Sequence, residues 1–251
     1  MKHLTKAALL FGTVLLCNTP LYAQQLEISA SNELVWDQTK GLYEANGAAK
    51  AIRGAQSIEA EILKAYYDAT SNSQDITRII ATTNVSFADA NMTGSGARLD
   101  YNVQKDFYEL KGPKAVIRSA DGTARAENSL TYNKADGIIM ATDKGEITLA
   151  DGRLLKGNTI EIALGETDEI ESVTATGNVY VRQQDGKEAF SQTGIYSAAT
   201  GKALLTGDVK IIDGESVLNG QKAEIDFNKG ISKLIAGEGQ GRVSGILTTA
   251  E

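Results

Sequence analysis

An elongated all-antiparallel β fold, a jelly roll or solenoid-like stack with open ends, is what three features of this sequence predict. Apolar residues alternate with polar ones at a period of two. Two short segment types recur about every thirty residues. Turn dipeptides punctuate the chain every dozen or so residues. Alternation at period two places successive side chains on opposite faces of a strand. The regular turns join such strands into sequential hairpins. No long helical stripe interrupts the pattern after the first two dozen residues.

The first segment type is a turn followed by alternating apolar positions. Its copies are Asn46–Ile52, Asn84–Asp89, Gly112–Ile117, Gly145–Leu149, Gly177–Val181 and Gly207–Ile211. The second type is a strand ending in an aromatic residue or Ile. Its copies are Ser57–Ile62, Gly96–Tyr101, Glu127–Tyr132, Gly157–Ile162, Thr193–Tyr196 and Lys222–Phe227. Their last residues are spaced 39, 31, 30, 34 and 31 apart. The long first interval coincides with the polar stretch 69–75, read as an extended loop. Asp-Gly at 121–122, 136–137, 151–152, 185–186 and 213–214 marks joints, as do Lys-Gly at 40–41 and 229–230 and Thr-Gly at 200–201. These pairs supply the positive φ of tight turns. Ile58–Tyr66 has helix-forming residues but fits the strand template. The whole reads as roughly 14–17 strands of ordinary length.

The start of the chain is set apart. Lys2 and Lys6 precede an 11-residue apolar run, Ala7–Cys17, and a small residue at Ala23. This describes a secretory signal peptide over 1–23, and the run is short of the roughly 20 residues of a membrane-spanning helix. Residues 24–251 form a single domain. Loss of 1–23 leaves 23 basic and 32 acidic residues, no Cys, no His and one proline, Pro113. An exported chain of this kind has no disulfides. Ser-His-Asp and Cys-His catalytic sets and His- or Cys-liganded zinc are excluded. The acidic balance argues against nucleic acid as a partner. Two carboxylates in one groove would suit a glycosidase, but the acids alternate outward or fall in turns. The expectation is no enzyme, no metal and no cofactor.

The repeated Gly-x-Val-x-Ile, Asp-Gly and Gly-x-x-Ala-x-φ-x-Tyr/Phe pattern resembles the OstA-like family. Leu205–Gly214 with Leu218–Phe227 is the clearest copy, and Ile28–Trp36 resembles the family's opening strand. The resemblance covers about 26–245. It implies a β-jelly roll in the periplasm that binds lipopolysaccharide, with acyl chains in an apolar groove. It also implies end-to-end copies, and inner-membrane transport and outer-membrane translocon partners of similar fold. On this reading the lipid-lining residues are Val85, Phe87, Leu99, Tyr101, Ala115, Ile117, Leu130, Tyr132, Ile147, Leu149, Ile160, Ile162, Val179, Val181, Val209, Ile211, Ile225 and Phe227. The alternative for each is plain core packing, and for the chain a structural solenoid or surface adhesin. Arg53, Arg98, Arg118, Arg125, Arg153, Arg182 and Arg242 are expected on solvated outer faces, with lipid phosphate as the other reading. Trp36 is either a core anchor or a partner contact, and Tyr66–Tyr67 either a ligand clamp or strand residues on opposite faces.

Overall fold

The computed structural model describes residues 25–71, 74–237 and 242–246. The signal peptide expected over 1–23 and most of Gly237–Gly241 lie outside the described residues, as do positions 72–73 of the polar stretch. Within the described residues every regular element is a β-strand. In chain order they are β1 (Glu27–Ser29), β2 (Glu33–Asp37), β3 (Leu42–Arg53), β4 (Gln56–Tyr67), β5 (Ile76–Asp89) and β6 (Met92–Asn102). Then come β7 (Phe107–Lys111), β8 (Ala115–Arg118), β9 (Gly122–Ala126), β10 (Ser129–Asn133), β11 (Ile138–Leu149) and β12 (Leu154–Leu164). The last are β13 (Ile170–Arg182), β14 (Glu188–Ser197), β15 (Lys202–Asp213), β16 (Ser216–Asp226), β17 (Ile231–Ile235) and β18 (Ser244–Ile246). Eighteen strands slightly exceed the expected number, the short β1 and β18 at the two ends being among them. Ile58–Tyr66 lies within β4, as the strand template requires.

All pairings are antiparallel and form one hydrogen-bonded sheet, most of them between consecutive strands, while around the middle β6 also pairs with β8, β7 with β10 and β9 with β11. That sheet folds on itself along a line of register shifts. The shifts fall at Asn46/Ala49, Thr82/Val85, Thr142/Gly145, Thr176/Val179 and Thr206/Val209. Each long strand therefore serves two walls, one before the shift and one after it. Paired positive φ angles make the corners: Thr83 and Asn84 at 66° and 54°, Asp143 and Lys144 at 58° and 63°, Gly177 and Asn178 at 75° and 51°. Two left-handed residues in succession break the pleat and re-aim the strand. At Gly177 a Cβ would lie 2.5 Å from the Asn158 side-chain amide, which would have to swing aside, and the positive φ favours glycine there. In the middle of the chain the corner interrupts the strand outright. β7 and β8 are separated at Gly112–Lys114, around Pro113, which has no N–H to give to a ladder.

The turns that open the first segment type are thus corners inside continuous strands rather than hairpin loops. The Asp-Gly, Lys-Gly and Thr-Gly pairs, by contrast, all fall at hairpin connections, or at the first strand residue after one. The hairpins form two rows, one on each wall. Alternate residues of both walls point inward and make one apolar cluster running from Ala45 to Ile225.

The ends differ from the middle. β1 and β2 both pair with β3, and β17 and β18 both pair with β16. Among the described residues nothing pairs with their outer edges. Leu34 on β2 is 52% exposed and Ile246 on β18 70% exposed.

Candidate functional site: the interior and its seam

The site is the space between the walls, and the corners place its lining. Sixteen of the expected lining residues are buried: Val85, Phe87, Leu99, Tyr101, Ala115, Ile117, Leu130, Tyr132, Ile147, Ile160, Ile162, Val179, Val181, Val209, Ile211 and Ile225. Leu149 and Phe227 are partly buried against the same cluster. The inward set is larger than the sequence indicated. Tyr108, Leu110, Ile139, Ala141, Val173, Ala175, Ala203, Leu205 and Ala223 share it. All but Ala223, which follows the corner of β16, belong to the strand halves that precede a corner. The available signal was an apolar-x-Ala/Leu-x-Gly run, as in Val173–Gly177 and Ala203–Gly207.

The interior opens at its N-terminal end into a chamber of about 1450 Å³. This exceeds the 300–1,000 Å³ usual for small-molecule sites. Its apolar lining includes Leu26, Ile28, Tyr43, Ala51, Ile58, Ile76, Ile79, Tyr101, Val103 and Tyr108. Its polar lining includes Arg53, Gln56, Gln74, Asp75, Asp89 and Lys134. Further along, Ile147, Leu149, Val173, Val181, Leu205 and Phe227 line a second, nearly wholly apolar cavity of about 40 Å³. That space takes a few water molecules, not a lipid chain.

Opposite the corners, where the two rows of hairpins meet, polar groups bridge the walls. Lys134 Nζ donates to both oxygens of Asp89, at 2.8 and 2.9 Å. Tyr108 Oη donates to Asp89 Oδ2 at 2.8 Å and Gln56 Nε2 donates to it at 3.1 Å. Asp89 is 4% exposed, so a carboxylate sits there only because these donors surround it. Arg53 Nη2 donates to Tyr101 Oη at 3.0 Å, and Tyr101 in turn donates to Asp106 at 2.8 Å. Midway, the Ile170 amide donates to Asp121 Oδ2 at 2.9 Å. Beyond it the Arg153 guanidinium lies over the rings of Tyr196 and Phe227, at 4.9 and 4.6 Å from their centroids. One side of the roll is therefore continuous chain, and the other is a non-covalent seam.

Arg53 and Arg153 correct the expectation of outer faces for all seven arginines. Both precede or follow a hairpin, where the side chain reaches across to the opposite wall. Arg98, Arg118, Arg125, Arg182 and Arg242 are exposed or half-exposed. Arg98 and Arg125 meet Asp100 and Glu146 on the outside.

An aromatic stack runs beneath the N-terminal part of the seam. Tyr108 stacks on Tyr101 at 4.1 Å, on Phe87 at 5.1 Å and on Tyr132 at 5.7 Å. Burial raises the phenol pKa of Tyr101, Tyr108 and Tyr132, and nearby carboxylates raise it further. A raised folded value means that the folded chain holds its protons where the unfolded chain, with Tyr near 10, releases them. Stability is then fully present below about pH 10 and is lost as pH rises past it. Melting curves from pH 8 to 11.5 should show a flat Tm giving way to a steep fall above about pH 10. Tyr132→Phe should make that fall shallower, and an equal fall in the variant would remove Tyr132 from the explanation.

Trp36 is 48% exposed on β2, stacked on Tyr43 at 5.7 Å, and its Nε1 donates to Tyr67 Oη at 2.8 Å. Tyr67 is buried and Tyr66 points to the other face.

The family described as LptA/(LptD N-terminal domain) LPS transport protein matches the chain twice, over residues 27–138 and 128–231. The overlap begins at the interrupted rungs in the middle of the roll. Among solved structures, the chain is similar to that described as the crystal structure of LptH, the LptA homologous periplasmic component of the conserved lipopolysaccharide transport device from Pseudomonas aeruginosa. The two share 11% identity over 90% of this chain and 96% of that one, with a TM-score of 0.23, too low to carry any argument. No curated protein sequence matches.

Proposed function

We propose that this chain, which belongs to the LptA/LptD N-terminal domain family of lipopolysaccharide transport proteins, carries lipopolysaccharide with its acyl chains between the two walls and its sugars outside the seam. The observation that supports this most is the continuous apolar interior that widens into a lipid-sized chamber at one end. Each CH₂ moved from water into such a lining is worth about 0.8 kcal/mol. Passing a lipid along a row of similar apolar positions needs graded affinity and no bond-making, so the role is non-enzymatic.

The same reading places the protein in the periplasm as a bridge between inner and outer membranes. The open edges of β1 and β2 at one end and of β17 and β18 at the other are suited to strand addition. Another copy, or a membrane partner of similar fold, would bury Leu34, Trp36, Ile231 and Ile246, all exposed at those ends.

The test is photocrosslinking. A photoreactive residue at buried Ile117 should crosslink to lipopolysaccharide, and one at exposed Lys114 should not. Absence of crosslinks at Ile117, Leu130 and Ile160 in folded protein would mean a closed core and sink the conduit.

A further inference from the structure

Among the cations at the seam, Arg53 stands apart in its partners. Lys134 is held by the Asp89 carboxylate. Arg153 is held by Asp151, at 2.7 Å. Arg53 donates from Nε and Nη2 to Gln56 Oε1, at 3.2 and 2.8 Å, and from Nη2 to Tyr101 Oη, at 3.0 Å. Both partners are neutral. Among the described residues no carboxylate comes within ion-pair distance of it. Asp89, its neighbour through Gln56, is already matched by Lys134. Asp106 lies on the far side of the Tyr101 hydroxyl. Asp75 also lines the chamber, from the loop before β5.

The guanidinium is half-buried, positioned by two hydrogen-bonding partners, and lines a chamber whose walls combine apolar residues such as Leu26, Ile28, Ile58 and Ile79 with polar ones. Nη1 makes no hydrogen bond to a described residue, which leaves part of its planar donor fork for a ligand. Such a fork matches the oxygens of a phosphate, which a lysine cannot do bidentately. A positioned cation at the edge of a chain-sized space with apolar walls on one part of its lining is the arrangement that selects an anionic amphiphile.

We propose that Arg53 recognises a phosphate-class headgroup on amphiphiles whose chains occupy the chamber. This rests on the conduit reading above, and the experiment separates the two. Dodecyl phosphate and uncharged dodecanol are titrated against the protein by displacement of N-phenylnaphthylamine, with inorganic phosphate as a third competitor. Dodecyl phosphate should displace the dye about tenfold more tightly than dodecanol, a charge-assisted contact at a half-exposed site being worth about 1.4 kcal/mol. Arg53→Gln should bring the two within about twofold and leave dodecanol unchanged. Arg53→Lys, which keeps charge but not the fork, should retain about threefold. It carries the test if the Gln variant loses its β circular dichroism. Inorganic phosphate should not displace the dye or weaken dodecyl phosphate at equal concentration. A phosphate preference absent from the wild type, or kept in Arg53→Gln, overturns the proposal while leaving the conduit standing. Competition by inorganic phosphate that depends on Arg53 overturns it in favour of a free-phosphate site. Failure of both chain compounds to bind overturns the conduit itself.

Discussion

Tyr108→Ala is expected to lower the free energy of unfolding by about 4 kcal/mol, more than removal of any aliphatic side chain in the roll. Tyr108 is among the largest fully buried side chains, and its ring touches Phe87, Tyr101 and Tyr132. Truncation removes the ring and leaves a cavity that the strands, fixed by their ladders, cannot collapse into. It also takes one donor from Asp89 and one acceptor from Gln56. Tyr108→Phe isolates that second effect. It keeps the stack and deletes the hydroxyl, and should cost about 1–2 kcal/mol, the penalty for weakening a buried carboxylate's shell. Urea titrations of both variants check the ordering. Equal losses would mean the hydroxyl, not the stack, holds the walls together. A loss below about 1 kcal/mol for Tyr108→Ala would mean the walls can close over the gap.

The hairpins were legible because their chemistry is local. Asp121-Gly122, Asp136-Gly137 and Lys229-Gly230 need nothing beyond their own backbone to mark a turn. The inward face was legible for the same reason: alternation at period two fixes Val209 and Ile211 on one side whatever they pack against. The corners were not. Thr83, Asn84, Asp143 and Lys144 take positive φ with no glycine among them, so their sequence does not announce a left-handed pair. Where glycine was present, at Gly177 and Gly207, it resembled a hairpin turn and hid the fact that the strand runs on. The small residues before the corners, such as Ala175 and Ala203, carry too little hydrophobicity to advertise an inward face. The seam was beyond reach altogether. Asp89 and Lys134 are 45 residues apart, and they meet because two walls close, which no periodicity within either wall encodes. For that reason the arginines at positions 53 and 153 could not be told from those on the outer face.

Lys134→Met should cost about 3 kcal/mol, and Asp89→Asn in the same chain should restore a large part of it. Removing the cation strands a carboxylate that is 4% exposed. Breaking a buried pair in this way typically costs 3–5 kcal/mol. The lower end applies because Tyr108 and Gln56 still donate to Asp89 and because the Lys134 side chain is 32% exposed. The double variant has no charge to strand. Pairs replaced together by neutral groups are often close to neutral in stability, so the two substitutions should be strongly non-additive. Additive losses would show that each residue acts through separate contacts and that the ion pair does not hold the seam. The pair also bears on function. It ties a hairpin of one wall to a hairpin of the other beside the chamber, while the opposite side of the roll is continuous chain. A lipid whose sugars stay outside has to enter past such ties if it enters sideways. Lys134→Met should therefore speed N-phenylnaphthylamine uptake by the folded protein several-fold at a temperature below its lowered Tm. Unchanged uptake would mean that chains enter through the open N-terminal end, where β1 and β2 leave the chamber unclosed, and that the seam serves stability alone.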